Sequence, residues 1–113
     1  MTDCLFCRIA ANQLPAKIVY RDADVVAFHD IAPQAPTHIL VIPVQHIPSA
    51  RDLQTSDTDL IGRLLIIATQ IAREQNLEQG YRFVINTGPH GGQSVDHLHL
   101  HLLGGRHLKW PPG

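Results

Sequence analysis

The residues best suited to chemistry are the histidines of His97-Leu98-His99-Leu100-His101, which run into Leu102 and Leu103. A strand alternates its side chains between two faces. A strand over 96–103 therefore puts His97, His99 and His101 on one face and Leu98, Leu100 and Leu102 on the other, toward a core. One imidazole in such a row can attack phosphorus while its neighbours donate hydrogen bonds to oxygens that gain charge. The middle ring, His99, is flanked on both sides and is the expected nucleophile. For that task it must be neutral, with a lone pair on one nitrogen and the other nitrogen donating to a fixed acceptor. His101 and His38 are expected to stabilise the charge on phosphorus. Two readings compete: a solvated face that happens to be rich in histidine, and a metal site, since strand histidines two apart can chelate an ion. Unbroken alternation with leucine speaks against the first.

The segment that feeds this strand narrows the choice. Asn86, Gly88, Gly91, Gly92, Gln93 and Ser94 offer amide, hydroxyl and backbone N–H donors, and the glycines let main chain approach an anion closely. The loop is not a P-loop, because the Gly-Lys-Ser/Thr ending is missing.

Positioning these groups requires a sheet. Residues 17–20 and 25–29 read as two strands joined by the Arg21-Asp22-Ala23-Asp24 turn, an antiparallel hairpin. Residues 38–42, closed by Pro43, form a third strand, 81–86 a fourth and 96–103 a fifth. A short helix is expected over 4–11. A long one is expected over 57–76, with Ser56 as its cap and Asp57 and Asp59 at its positive end. Leu60, Leu64, Ala68 and Ile71 line one face of that helix, Ile61, Leu65, Ala68 and Ala72 line its neighbour, and Ile66 and Ile67 widen the apolar surface, so it is buried on most sides or turned partly toward another subunit. The expected fold is α+β: an antiparallel sheet with one short N-terminal and one long helix, in a single domain over 1–113 with a short tail over 104–113.

Bulk properties agree. The 113 residues, 44% hydrophobic and 17% charged, suit one globular domain. A formal net charge of -1 and the lack of any basic run argue against a nucleic-acid partner, so the phosphate should belong to a small molecule. Eight histidines are a surplus that asks for a chemical explanation. The start, Met1-Thr2-Asp3-Cys4, lacks the pattern of a signal peptide, and the longest apolar stretch, 64–69, is too short to span a bilayer. A cytoplasmic chain with no membrane association is the expectation. His29, His90 and His107 receive no role.

The motif His97 to Leu103 resembles that of the histidine triad (HIT) family. Phe28-His29-Asp30-Ile31, Pro36-Thr37-His38, Gly91-Gly92-Gln93-Ser94-Val95 and Trp110-Pro111-Pro112-Gly113 resemble its nucleoside phosphoramidase branch, and the likeness spans nearly the whole chain. The resemblance implies a homodimer of five-stranded subunits, with the long helix and the fourth strand at the interface. It implies a purine nucleoside 5′-phosphoramidate or monophosphate as substrate, hydrolysed through a nucleotidyl-His99 intermediate with no organic cofactor. His38 and His101 would assist at the phosphate. Asn86, Gly92, Gln93, Ser94 and Val95 would line the nucleotide site, and Ser94 would pass a proton to the leaving amine. Asp30 would hold the ribose hydroxyls. Phe6, Ile9, Phe28 and Ile31 would form the purine slot, and Trp110 would reach toward the partner subunit's site. Other branches of the family cleave dinucleoside polyphosphates with the same triad, and a nucleotide-sensing or partner-binding module is a third reading.

Cys4-Leu5-Phe6-Cys7 departs from the animal-type members of that branch and resembles family members that bind zinc. The resemblance supplies the remaining ligands, His46 and His97, for a closed Cys2His2 structural zinc site. A redox pair and two ordinary thiols are the competing readings.

Overall fold

The computed structural model describes residues 3–113; Met1 and Thr2 of the N-terminal reading lie outside the described residues. The chain runs α1 (Leu5–Ala10), β1 (Ile18–Arg21), β2 (Val25–His29), β3 (Thr37–Pro43), α2 (Thr58–Glu74), β4 (Tyr81–Val84), a helical turn α3 (Gly88–Gly91) and β5 (Leu100–Gly104). The strands form one five-stranded sheet in the order β1-β2-β3-β5-β4, with every neighbouring pair antiparallel. No described helix is long and apolar enough to cross a membrane.

The central strands bury both faces. Val25, Ala27, Ile39 and Val41 join Leu98, Leu100 and Leu102 beneath α2, which contributes Leu64, Ile67, Ala68, Ile71 and Ala72. Leu64, Ala68, Ile71 and Ala72 follow the i, i+3, i+4 spacing read from the sequence, with Leu60 and Ile61 partly buried beside them, whereas Leu65 and Ile66 stay exposed. The alternate residues Val26, Phe28, Leu40 and Ile42 face the other way and pack under Phe6, Ile9 and Ala10 of α1. With only six residues, α1 cannot cover that face of the sheet. The part it leaves open is where the histidines lie.

Several boundaries differ from the sequence reading. The long helix begins at Thr58, not Asp57, and Ser56 does not cap it. Ser56 sits inside a 3-10 turn over Thr55–Asp57, where the Asp57 carboxylate accepts from the Gln54 N–H at 2.9 Å. The fourth strand stops at Val84, and the loop after it contains the α3 turn. The fifth strand starts at Leu100, four residues later than expected from 96. His97 and His99 therefore precede the hydrogen-bonded ladder, although their leucine neighbours still fill the core. Partners from elsewhere in the chain hold this stretch: the Leu98 N–H donates to the Ile47 carbonyl at 2.7 Å, outside the ladder, and the His97 ring bonds the Pro43 carbonyl.

Candidate active site and metal centre

His99 is buried, and its Nδ1 lies 2.7 Å from the carbonyl oxygen of His97. A carbonyl only accepts, so Nδ1 carries the proton, and in the neutral ring Nε2 keeps the lone pair. No partner for Nε2 exists among the described residues, and the ring borders a cavity of about 380 Å³. This is the arrangement required of a nucleophile, with a main-chain atom as the fixed acceptor. Phe6 packs edge-on against the ring at 5.1 Å between centroids and holds it from the far side.

A chain of hydrogen bonds sets the polarity of the next histidine. The Gln34 backbone N–H donates to His38 Nδ1 at 3.0 Å, which commits that lone pair and leaves the proton on Nε2. His38 Nε2–H then faces His101 Nδ1 at 2.8 Å and lies 3.4 Å from an Asp30 oxygen. His101 Nδ1 must accept, so its Nε2 carries a proton. That Nε2 is buried and has no partner among the described residues. An orphaned buried N–H is costly unless a ligand satisfies it, and His101 is 4.9 Å from His99 between ring centroids. Asp30, His38 and His101 also cluster closely enough to suggest a second metal site. The Gln34 bond argues against it, because an Nε2 that donates has no lone pair for a cation.

Electrostatics keep this chain neutral. Burial, then the nearby His99 and His38, push His101 down to about 4. Burial also lowers His38, partly offset by the Asp30 carboxylate. Both rings act as neutral donors at pH 7, not as cations. A lowered folded-state value means that the unfolded chain takes up the proton first as pH falls. The associated stability is full above the unfolded value near 6.5 and drains away as pH drops toward 4. Thermal unfolding followed from pH 7 to pH 4 should therefore show a shallower loss of Tm for His101→Gln than for the parent chain; parallel curves would contradict the assignment.

The cavity gathers most of the expected ligand-site residues. Phe6, Ile9, Phe28, Asp30, Ile31, Ser94, Val95, His99 and His101 all line it. Asn86, Gly92, Gln93 and Trp110 do not. The Gln93 amide is committed to other partners: Nε2 donates to the Pro48 and Val95 carbonyls at 2.7 and 3.0 Å, and Oε1 accepts from the Gly88 N–H at 3.0 Å. Trp110 lies on the exposed tail, away from the cavity of its own chain. Sequence reasoning missed Leu14, Pro15 and Ala16, which form the lip opposite Phe28, and His29, which sits at the rim. Leu14-Pro15-Ala16 signals only the end of a helix in sequence; its place on the cavity comes from the chain's return over the sheet.

A separate group that includes His97 and His46 lies near Phe6, which packs against both His97 and His99. The ligand atoms of Cys4, Cys7, His46 and His97 all fall within 4.8 Å of one another. Cys4 Sγ is 3.3 Å and Cys7 Sγ 3.5 Å from His97 Nδ1; His46 Nδ1 is 3.2 Å from both Cys7 Sγ and His97 Nδ1. Ideal tetrahedral bonds of about 2.3 Å to sulfur and 2.0–2.1 Å to nitrogen require S–N edges of about 3.5 Å and N–N edges of about 3.3 Å. The donor set fits. The His97 ring is also turned for the task, since its Nε2 donates to the Pro43 carbonyl at 2.8 Å and leaves Nδ1 facing the group. The fully buried His97 ring sits in this cluster and does not line the cavity with His99 and His101, contrary to the expectation from alternation alone.

A family model described as "Scavenger mRNA decapping enzyme C-term binding" matches residues 3–109. The chain is 53% identical to an uncharacterized HIT-like protein of Synechococcus elongatus over 98% of this chain and 97% of that one. The chain belongs to the histidine triad (HIT) family. Two further relatives bear on the site. A 14 kDa zinc-binding protein of Zea mays is 47% identical over 96% of this chain and 87% of its own. A HIT family hydrolase from Legionella pneumophila superposes with a TM-score of 0.97 at 50% identity, covering 98% of this chain and 100% of that one. The fold is that of HIT hydrolases, and His99 and His101, which line the cavity, belong to the histidine motif read from the sequence.

Proposed function

We propose that this HIT protein cleaves the P–N bond of purine nucleoside 5′-phosphoramidates through a nucleotide carried covalently on His99. The observation that carries the reading is the His99 Nδ1–H bond to the His97 carbonyl, with the unpartnered Nε2 at the cavity wall. The base enters between Phe6, Ile9, Phe28 and Ile31, and the Asp30 carboxylate accepts from the ribose hydroxyls. His99 Nε2 forms a bond to phosphorus as the P–N bond breaks. The electron pair of that bond leaves with the amine nitrogen, which takes a proton relayed by the Ser94 hydroxyl. His101 Nε2–H donates to a phosphoryl oxygen, and this satisfies its orphaned hydrogen. Water then attacks phosphorus from the vacated side, and the bond from phosphorus to His99 breaks with its electron pair returning to Nε2. The one proton lost by the water passes through Ser94 to solvent to replace the one relayed earlier, and nucleoside monophosphate leaves.

Cys4, Cys7, His46 and His97 would hold a structural zinc, which would supply a crosslink between α1 and the segments at 46 and 97 and no acid or base. Leu65 and Ile66 on α2, with Tyr81 on β4, leave an exposed apolar surface that supports a homodimer through these elements.

The test is rapid quenching during a single turnover of adenosine 5′-phosphoramidate, followed by peptide mass spectrometry. A nucleotidyl group on the peptide that contains His99 is the expected result. Turnover with no adduct, or with the adduct on another residue, overturns the reading.

A further inference from the structure

We propose that the Cys4, Cys7, His46 and His97 centre positions the nucleophile through the peptide between His97 and Leu98. The inference rests on reading His99 as the nucleophile and the four residues as a metal centre. This one peptide group is gripped at both ends. Its carbonyl accepts from His99 Nδ1 at 2.7 Å, and its N–H donates to the Ile47 carbonyl at 2.7 Å. Ile47 directly follows His46, and His97 is itself in the centre, so the two residues that hold the peptide are a ligand and the neighbour of another.

The His97 ring is fixed at both nitrogens, with Nδ1 in the cluster and Nε2 on the Pro43 carbonyl. With the ring fixed, the main chain of His97 cannot turn its carbonyl away from His99. Phe6 adds a second connection. It lies between Cys4 and Cys7 in sequence and touches both rings, at 6.0 Å from His97 and 5.1 Å from His99. When the four ligands are held together, His99 is confined to one tautomer and one direction. When they part, the carbonyl and the Phe6 wall can both shift, and the attacking nitrogen loses its aim. His97 thus acts as a positioning residue through its carbonyl, while its ring serves the centre.

The decisive comparison uses the unmutated chain, Cys7→Ser, and His46→Cys, which replaces one ligand by another. Three quantities are measured: bound zinc; the ring 15N resonances of His99, which report its tautomer; and the single-turnover rate of nucleotidyl formation from adenosine 5′-phosphoramidate set against AMP affinity. The unmutated chain and His46→Cys should retain zinc and a single Nδ1–H form of His99. Cys7→Ser should lose zinc, show averaging between the two tautomers and form the adduct about 10–100-fold more slowly, with AMP affinity changed less than about fivefold. A metal-free Cys7→Ser that keeps the Nδ1–H form and its rate overturns the inference. So does a rate that falls only in step with affinity, which would mark mere support of the cavity. If Cys7→Ser does not fold, cadmium in place of zinc in the unmutated chain lengthens the metal bonds without removing a ligand. Displaced His99 resonances are then expected, and unchanged ones overturn the inference. An unmutated chain that binds no zinc removes the metal reading and this inference together, whereas zinc bound beside an indifferent His99 removes this inference alone.

Discussion

Replacing His99 with Gln is expected to slow phosphoramidate turnover on the order of 10⁴-fold or more while AMP affinity changes by less than about threefold. The asymmetry follows from where the ring sits. His99 forms only part of the cavity wall, and the apolar slot and Asp30 remain intact in the variant. Gln keeps an amide hydrogen able to reach the His97 carbonyl, so the peptide retains a partner. What disappears is the only described lone pair facing the cavity that is oriented by an N–H bond on the opposite side of its own ring. Steady-state kinetics and calorimetry on the same preparation give both numbers. Turnover within tenfold of the parent, or equal losses in rate and affinity, would falsify the covalent role.

Removing zinc should cost the chain a large share of its thermal stability. The ligands come from the start of α1, from the loop after β3 and from the entry to β5, so the centre joins segments up to 93 residues apart. An ion at a thousandfold excess over its Kd stabilises the folded state by about 4.1 kcal/mol, which for a chain of this length lowers Tm on the order of 20 °C when the ion is withdrawn. Calorimetry with and without a strong chelator measures the difference, and metal analysis of the same samples ties it to zinc. A Tm that ignores the chelator in a protein shown to contain zinc would contradict a structural role. Some weakening of the cavity should accompany the loss, since Phe6 and Ile9 ride on the same short helix as Cys7.

Much of this was legible in the sequence because the local rules and the tertiary structure agree. The leucines of the histidine motif fill the core as alternation requires, and the helical stripe on α2 lies against the sheet. The Cys4, Cys7, His46 and His97 cluster was legible only through the likeness of a whole motif set, since His46 stands in a loop with no pattern of its own. Other features were hidden for physical reasons. Alternation puts three histidines on one face, but it cannot show that the ladder ends at Leu100 and that His97 turns its ring toward Pro43 instead. Gln93 looks like a ligand by type, yet its amide finds three partners within a few ångströms and has little left to offer. Ser56 has the right chemistry for a cap, but the chain tightens into a 3-10 turn before the long helix begins. The first two depend on where the distant Pro43 and Pro48 carbonyls lie, which no window of sequence contains; the third is settled locally by the bond between Gln54 and Asp57.

The order of protons in the Gln34, His38 and His101 series begins at a main-chain amide. That origin has no side chain, so residue type at 34 is almost silent for the proton order downstream. Nineteen of the twenty amino acids supply the same N–H; proline alone does not. A substitution at position 34 other than proline would leave that proton order in place, whereas a change of His38 or His101 would remove it.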